Sequence, residues 1–519
     1  VICLAVLVVN LDTTIVNVTL PSLVRQLHAS NSQLQWVVDG YNLTFAALVL
    51  AAGSLSDRFG RKGSLLTGLA IFGISTTLGS LADSSAQLIA ARAVMGLGAA
   101  IVFPNTLSII SNLFADRGER AKAIGVWGAT TGVGIALGPI VGGVLLDRFW
   151  WGSAFLAMTP VAALAIALVA LTVPTSKDPA TPRLDLAGLI TSTLSLGVLV
   201  YTIIEAPIHR WGSTSTAAGF AVAAVAIAAF VVIERRTASP MMDVGMFTNL
   251  RFSAASGSVT VAFFALAGFI FMITMYFQFM HGWSPLSTGL RLLPVAISVG
   301  AGSGLGTQLA VKVGNKAVVS AGLLLMAVGF IWISRSSAHT TYLETVGQMI
   351  VSATGVGLAS APATEAIMGV VPKDKASVGS AINDATREVG ATLGVAVIGS
   401  VFGSLYLQSI TTSRAAAHLP TNVVATAKQS VGAALSAAHS LSSTHPAAAG
   451  LLRTAANHAF FSGFKVGCVV AAAIALAGAV MAAVLLPSHP TEGSLLMEDH
   501  LNTGADRTLD GVIASPAID

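Results

Sequence analysis

Five ionisable side chains stand inside long apolar stretches. Asp12 and Arg92 interrupt two runs in the first hundred residues, and Asp384, Arg387 and Glu388 interrupt one near 378–405. A carboxylate in hydrocarbon is costly when ionised, so burial favours its protonated form and a nearby charge tunes it back. A group that takes up and releases protons needs both influences. Asp384 and Glu388 are four residues apart and share a helix face, where two acids can hold one proton or one cation. Arg387 beside them leaves a second reading open, an Asp384–Arg387 ion pair of purely structural use. Glu365 is a weaker candidate, because it falls at the end of its apolar run. No catalytic constellation is visible and no enzyme activity is expected. No G-x-x-x-x-G-K-[ST] loop is present, which argues against ATP as a partner. The glycines from Gly300 to Gly306 sit in an apolar run and read as helix packing. His418, His439, His445 and His458 lack metal-ligand spacing. No cofactor or metal is expected, and an ion gradient is the remaining energy source.

The elements that must position these groups are membrane helices. The chain has 519 residues, 54% hydrophobic and 10% charged, with a mean hydropathy of +0.80; a soluble domain carries about a quarter charged residues. Runs of about 20 apolar residues, enough to cross a bilayer, occur near 1–20, 36–55, 64–83, 87–108, 123–146, 153–173, 186–205, 217–233, 253–279, 288–310, 317–334, 345–367, 378–405 and 459–486, fourteen spans in all. With the N-terminus inside, fifteen Lys and Arg fall in cytoplasmic loops, against Arg25, Arg148, Arg210, Arg291 and Arg335 in the opposite short loops. The positive-inside rule therefore places both termini in the cytoplasm. Residues 406–458 form a long outside loop with a surface helix expected near 423–438, and 488–519 form a polar tail. The net charge of +4 is scattered over short loops, so nucleic acid is not an expected partner. Cys3 and Cys468 lie in apolar runs and read as free thiols. The chain opens at Val1 inside an apolar run with no basic start, so preceding residues are expected to be missing rather than a signal peptide present.

Several spacings are specific. Arg58-Phe59-Gly60-Arg61-Lys62 joins spans 2 and 3, and Lys312-Val313-Gly314-Asn315-Lys316 joins spans 10 and 11. The recurrence suggests two six-helix halves with spans 7 and 8 inserted between them. Gly134, Gly138 and Gly142 fall four apart, so one face of span 5 can admit another helix closely, and Pro139 should kink it. Asp12 lies about nine residues before Pro21, about 13 Å into the membrane at 1.5 Å per residue. Arg92 lies at a similar depth in span 4, so the two could pair.

The segment Gly53 to Lys62 resembles the G-x-L-x-D-R-x-G-R-K signature of the major facilitator superfamily. Gly134 to Gly143 resembles the G-x-x-x-G-P-x-x-G-G motif of its antiporter branch, and Arg92 to Gly98 its span-4 R-x-x-x-G-x-G motif. Leu11 to Pro21 resembles the span-1 motif L-D-x-T-I-V-N-V-A-L-P of the fourteen-span drug:proton antiporter family, with Thr19 in place of the commoner alanine. The resemblance runs the length of the chain and includes Trp36-Val37-Val38-Asp39, Glu234-Arg235-Arg236 and Gly282-Trp283-Ser284-Pro285.

The resemblance implies an all-α integral membrane protein of the major facilitator fold, in the inner membrane of a bacterium. The expected organisation is a six-helix bundle over 1–173, two inserted helices over 174–250, a second bundle over 251–487 and the tail 488–519. It also implies proton-driven export of hydrophobic or amphipathic small molecules by alternating access, with membrane lipid as the surrounding partner. Asp12, Arg92, Asp384 and Glu388 are the expected proton-coupling residues. Asp57, Arg58, Gly60 and Arg61 are expected to latch the halves, with Gly134, Gly138, Pro139 and Gly142 in the moving helix. Asp39, Phe103, Trp127, Phe264, Phe271, Met275 and Tyr276 are the expected cavity contacts, Asp39 favouring cationic substrates. Lipid or envelope-metabolite export on the same fold shares every motif. Import of polar solutes predicts a polar cavity and no span-5 glycine–proline motif.

Overall fold

The computed structural model describes residues 1–114, 116–175, 185–237, 240–371 and 376–487, without the side chains of Asp57, Arg117, Ala121 and 376–378. The expected tail 488–519 and the carboxylate of Asp57 therefore lie outside the described residues. Everything regular in the described chain is helical. Helices α1 (Ile2–Leu27), α2 (Asn31–Phe59), α3 (Arg61–Ser80), α4 (Ser85–Leu113), α5 (Arg117–Arg148), the short α6 (Ser153–Leu156) and α7 (Met158–Thr172) form the first group. A hairpin of α8 (Leu186–His209) and α9 (Thr214–Arg236) follows. The second group holds α10 (Leu250–Met275), α11 (Pro285–Arg291), α12 (Leu293–Val313), α13 (Asn315–Ile333), α14 (Tyr342–Met368), α15 (Ala376–Thr411), α16 (Arg414–His418), α17 (Thr421–Gln429), α18 (Val431–Leu441) and α19 (Pro446–Leu485).

Thirteen helices among the described residues are long and apolar enough to cross a membrane. The fourteenth expected span, 345–367, is α14, which is 27 residues long but rich in Ser, Thr, Gly and Ala. It packs against α10, α12 and α13. Protein rather than lipid surrounds much of it, which relaxes the need for apolar side chains.

The two groups share one packing order. In the first, α1 lies on α5, α2 and α3 on α4, and α3 on α7; in the second, α10 lies on α15, α12 and α13 on α14, and α13 on α19. The repeated basic loops occupy matching turns. Gly60 joins α2 to α3 at φ 114°, ψ 125°, and Gly314 joins α12 to α13 at φ 87°, ψ 152°. Only glycine enters this region without strain. Lys62 Nζ then donates to the Ala170 carbonyl at 2.8 Å, satisfying an orphan acceptor at the end of α7. These turns mark what is called here the basic end of the molecule.

Among the described residues, the direct hydrogen bonds between the groups lie toward the opposite end. Gln278 Nε2 donates to the Val18 carbonyl at 3.0 Å, Ser400 Oγ to Gln35 Oε1 at 3.1 Å, and Ser284 Oγ to Asp147 Oδ2 at 3.0 Å. The expected outside loop is a correction. Residues 406–458 are mostly helical, and α18 is docked rather than lying on the surface. Val431, Ala434 and Ala438 are buried, and Gly432 lets the chain sit against Phe279 and Val24. The reason is compositional: runs of alanine present a flat apolar face that packs on α19, and Tyr406 holds the segment through a 2.7 Å bond to the Ala427 carbonyl.

Gly314→Ala and Gly314→Asn are both expected to destabilise the protein by about 1–3 kcal/mol, since ψ near 150° at positive φ excludes Asn as well as Ala. Thermal unfolding of the purified protein checks this; an Asn variant as stable as wild type would contradict it.

Candidate functional site

The site begins with α1 and α4. Apolar residues fill most of α1, and Asp12 sits on its inward face with no solvent exposure; Arg92 on α4 is likewise fully buried. Arg92 Nη1 donates to Asp12 Oδ2 at 2.5 Å, so the pairing suggested by their depths forms. Arg92 Nε donates to the Val37 carbonyl of α2 at 2.9 Å, and its guanidinium lies 4.3 Å from the Tyr41 ring centroid and 5.9 Å from that of Phe155. One side chain thus ties three helices together. Asp12 Oδ1, Arg92 Nη2 and the Tyr41 hydroxyl are buried with no hydrogen-bond partner among the described residues.

Glycine makes this geometry reachable. Gly134 faces Leu7 and Asn10, Gly142 faces Ile15, and a Cβ on Gly138 would collide with the Thr14 hydroxyl and stand 2.9 Å from the Leu11 carbonyl. The three-glycine stripe of α5 therefore seats α1, the helix that carries Asp12. The same motif reaches across the molecule: Gly143 meets the backbone of Pro285 and Leu286, and Gly289 of α11 meets the Pro139 carbonyl.

From the second group, α15 presents Asp384, Arg387 and Glu388, all half-buried. Arg387 Nη2 donates to Thr364 Oγ1 at 3.3 Å, and its guanidinium lies 5.3 Å from the Phe263 centroid. Thr364 in turn donates to Asn383 Oδ1 at 3.1 Å. No Asp384–Arg387 ion pair forms among the described residues, and the Glu388 carboxylate has no hydrogen-bond partner among them. Helix α15, which carries the second expected set of proton-coupling residues, packs along α2, the helix whose Val37 carbonyl and Tyr41 ring hold Arg92.

The expected cavity contacts divide. Phe103 and Trp127 meet at 5.4 Å, Phe45 joins Phe103 at 5.8 Å, and Trp127 Nε1 donates to Thr106 Oγ1 at 3.0 Å. The partly buried Phe103 and Trp127 form an aromatic wall between α4 and α5 on the basic-end side of Arg92, backed by the buried Phe45 of α2. Phe264, Phe271, Met275 and Tyr276 instead lie in packed interior. Phe264 covers Gly394, and Tyr276 stacks near Phe464 at 5.4 Å while its hydroxyl donates to the Ser337 carbonyl at 2.9 Å. Helix α10 is so closely flanked by α14, α15 and α19 that its aromatic residues face protein. Asp39 is not at an open boundary either: it is fully buried, and neither carboxylate oxygen has a partner among the described residues. One turn earlier on the same face of α2, Gln35 abuts Gly399 and accepts a hydrogen bond from Ser400, so Asp39 lies on the face toward α15. Arg58 lies 5.8 Å from the ring of its own neighbour Phe59, and Glu365 is exposed at the basic end. Tyr41 escaped the sequence reading, although an aromatic ring beside a buried arginine is a recurrent partner.

Two helix groups of matching packing order, with a fully buried ion pair inside the first, define a polytopic membrane transporter. The chain belongs to the Major Facilitator Superfamily, whose sequence model matches residues 2–395. It is 35% identical to the multidrug efflux pump LfrA of Mycolicibacterium smegmatis over 93% of this chain and 95% of that one. It is 31% identical to the methyl viologen resistance protein SmvA of Salmonella typhimurium (89% and 92% covered) and 30% identical to the tetracenomycin C resistance and export protein of Streptomyces glaucescens (95% and 91%). Among solved structures, a bacterial homologue of the human lysosomal transporter Spinster, in an inward-facing and unoccupied conformation, matches with a TM-score of 0.64. It is 17% identical, and the match covers 92% of this chain and 96% of that one, a likeness of fold.

Removing one partner of a buried ion pair strands the other charge. Arg92→Met is expected to destabilise the protein by about 3–5 kcal/mol, and Asp12→Asn/Arg92→Met to recover part of that loss. Thermal unfolding of the two single variants and the double variant closes the cycle.

Proposed function

We propose that this protein is a proton-coupled exporter of hydrophobic or amphipathic small molecules, cationic ones included, working by alternating access in a bacterial inner membrane. The observation that carries the reading is the Asp12–Arg92 pair beneath Tyr41, with the unpartnered Glu388 carboxylate across the seam. Relatives named for multidrug efflux and for methyl viologen resistance support the substrate class. The basic end is assigned to the cytoplasm because short cytoplasmic loops concentrate Lys and Arg. In this reading the hydrogen bonds at the opposite end close the outside of the molecule, as an inward-open state requires.

In that state the substrate enters from the cytoplasm or inner leaflet and meets the aromatic wall of Phe45, Phe103 and Trp127. A flat hydrophobic cation gains area burial and cation–π attraction there without needing a dedicated hydrogen-bond set. When the halves rock, a proton from outside reaches the carboxylates at the seam. Protonating Asp12 weakens its hold on Arg92 and removes a negative charge that favours a cation, so substrate release and proton entry go together. The proton leaves to the cytoplasm when the pair re-forms. The Gly138 and Gly142 contacts would carry α5 with α1, while Pro139 and Gly143 slide on α11.

Purified protein in liposomes with an imposed pH gradient tests this. Ethidium movement and lumenal pH are followed together for wild type, Asp12→Asn and Glu388→Gln. Wild type is expected to move dye against proton flow. Asp12→Asn is expected to lose the gradient-driven component by tenfold or more (about 1.4 kcal/mol per factor of ten). Dye movement indifferent to the gradient would refute coupling. No dye movement in wild type would refute the cationic substrate class and favour lipids or neutral metabolites.

A further inference from the structure

A second pair of acids lies far from the seam, in the inserted hairpin. Asp185 is the N-cap of α8, and its Oδ1 accepts the Gly188 N–H at 2.8 Å. Glu234 sits in the last turn of α9 at the basic end, and its Oε2 accepts the Met242 N–H at 3.2 Å. Both side chains are enclosed: Asp185 is 8% exposed and Glu234 is 2% exposed. Each has one oxygen left over, Asp185 Oδ2 and Glu234 Oε1, buried and without a partner among the described residues. Those two oxygens converge. A Cβ on Gly188 would stand 2.6 Å from Asp185 Oδ2 and collide with Glu234 Oε1. Glycine at 188 is thus what lets the two carboxyl groups share one small space between the helices.

Two carboxylates in such a space cannot both remain ionised without a compensating charge. Asp185 is the charged group that acts on Glu234 among the described residues, and it has the same sign. Arg235 and Arg236, next on α9, are exposed, and Asp243 in the following segment caps its own turn by accepting the Gly245 N–H. Lys177, Asp178 and Arg183 lie outside the described residues. A hydrated divalent cation keeps several waters and near-octahedral oxygen ligands, which fits poorly between two enclosed carboxyl groups whose other oxygens are taken by backbone N–H donors. A single proton fits. We propose that Asp185 and Glu234 form a proton-binding site, a carboxylic acid–carboxylate pair with one hydrogen shared between Asp185 Oδ2 and Glu234 Oε1.

The site has a mechanical consequence. Glu234 holds the Met242 N–H, and Met242 belongs to the linker that runs from α9 into α10. At the other end of the hairpin, Trp36 Nε1 of α2 donates to Glu205 Oε1 of α8 at 3.2 Å, and Trp211 Nε1 donates to Ser404 Oγ of α15 at 2.8 Å. The hairpin therefore touches both groups at one end and the linker at the other. Loss of the shared proton leaves two negative charges facing each other and loosens the α8–α9–linker corner. Proton occupancy on the basic side thereby sets how firmly the linker is held.

The test uses the full-length protein in nanodiscs, as wild type, Glu234→Gln and Asp185→Asn. Glutamine reproduces the protonated acid in shape and donates to Asp185; asparagine keeps the helix cap. The sign follows from linkage. The folded pair binds a proton that the unfolded chain releases above about pH 4.3, so wild-type stability declines as pH rises until the pair itself ionises. Between the unfolded value of about pH 4.3 and the pH at which the pair ionises, the wild-type unfolding equilibrium is expected to shift by up to about tenfold per pH unit relative to either variant. Infrared difference spectra, wild type minus variant, are expected to show one protonated carboxyl at neutral pH. A variant that lowers stability equally at every pH, with no protonated carboxyl in the spectra, overturns the proposal in favour of a basic partner. Sensitivity of wild type to a chelator, absent in both variants, overturns it in favour of a cation site. The infrared comparison still decides if one variant fails to fold.

Discussion

A buried carboxylate and a buried guanidinium cannot be left alone in a membrane protein, and the first helix group is organised around that constraint. Arg92, on α4, has five N–H donors and is fully enclosed, so α1 and α2 must each bring something to it. Asp12, the Val37 carbonyl and the Tyr41 ring are what they bring. The pair is costly to assemble, because desolvation offsets most of its attraction. Its persistence makes sense where the two charges must come apart and rejoin.

Close helix approach is the second requirement, and it is met by absent side chains. The α5 stripe seats α1 through Gly134, Gly138 and Gly142, while Pro139 and Gly143 receive α11 from the other group. Without a hydrophobic force between helices in lipid, backbone-to-backbone contact supplies much of the adhesion. One motif thus seats the helix that carries Asp12 and forms a surface on which the two groups meet. Movement at that surface cannot be independent of Asp12.

The acids of the second group are held differently. Arg387 engages Thr364 and Phe263 instead of a carboxylate, so Glu388 stays unpartnered in a half-buried position. Asp39, fully enclosed and unpartnered on α2, faces the same helix. The packed helices α2 and α15 therefore carry three acids, Asp39, Asp384 and Glu388, with no ion pair among the described residues, while Asp12 has one.

Much of this was legible in the residues themselves. Apolar runs of membrane length, basic turns on one side, a glycine stripe at four-residue spacing and two charges at equal depth are local patterns. They specify helices and put Asp12 and Arg92 at similar depths, because each depends on chain geometry within one helix or on depth along neighbouring spans. Which helices touch depends on packing between segments hundreds of residues apart, and only the tertiary structure decided it. A helix face is apolar whether it meets lipid or protein, so Phe271, Met275 and Tyr276 read as cavity wall when they are interior. The full burial of Asp39 could not be read from its own helix either, because α15, which packs on α2, comes about 360 positions later in the chain. The Asp185–Glu234 pair was invisible for the same reason: two ordinary helix-end acids become a site only when α8 and α9 fold back on each other at Gly188.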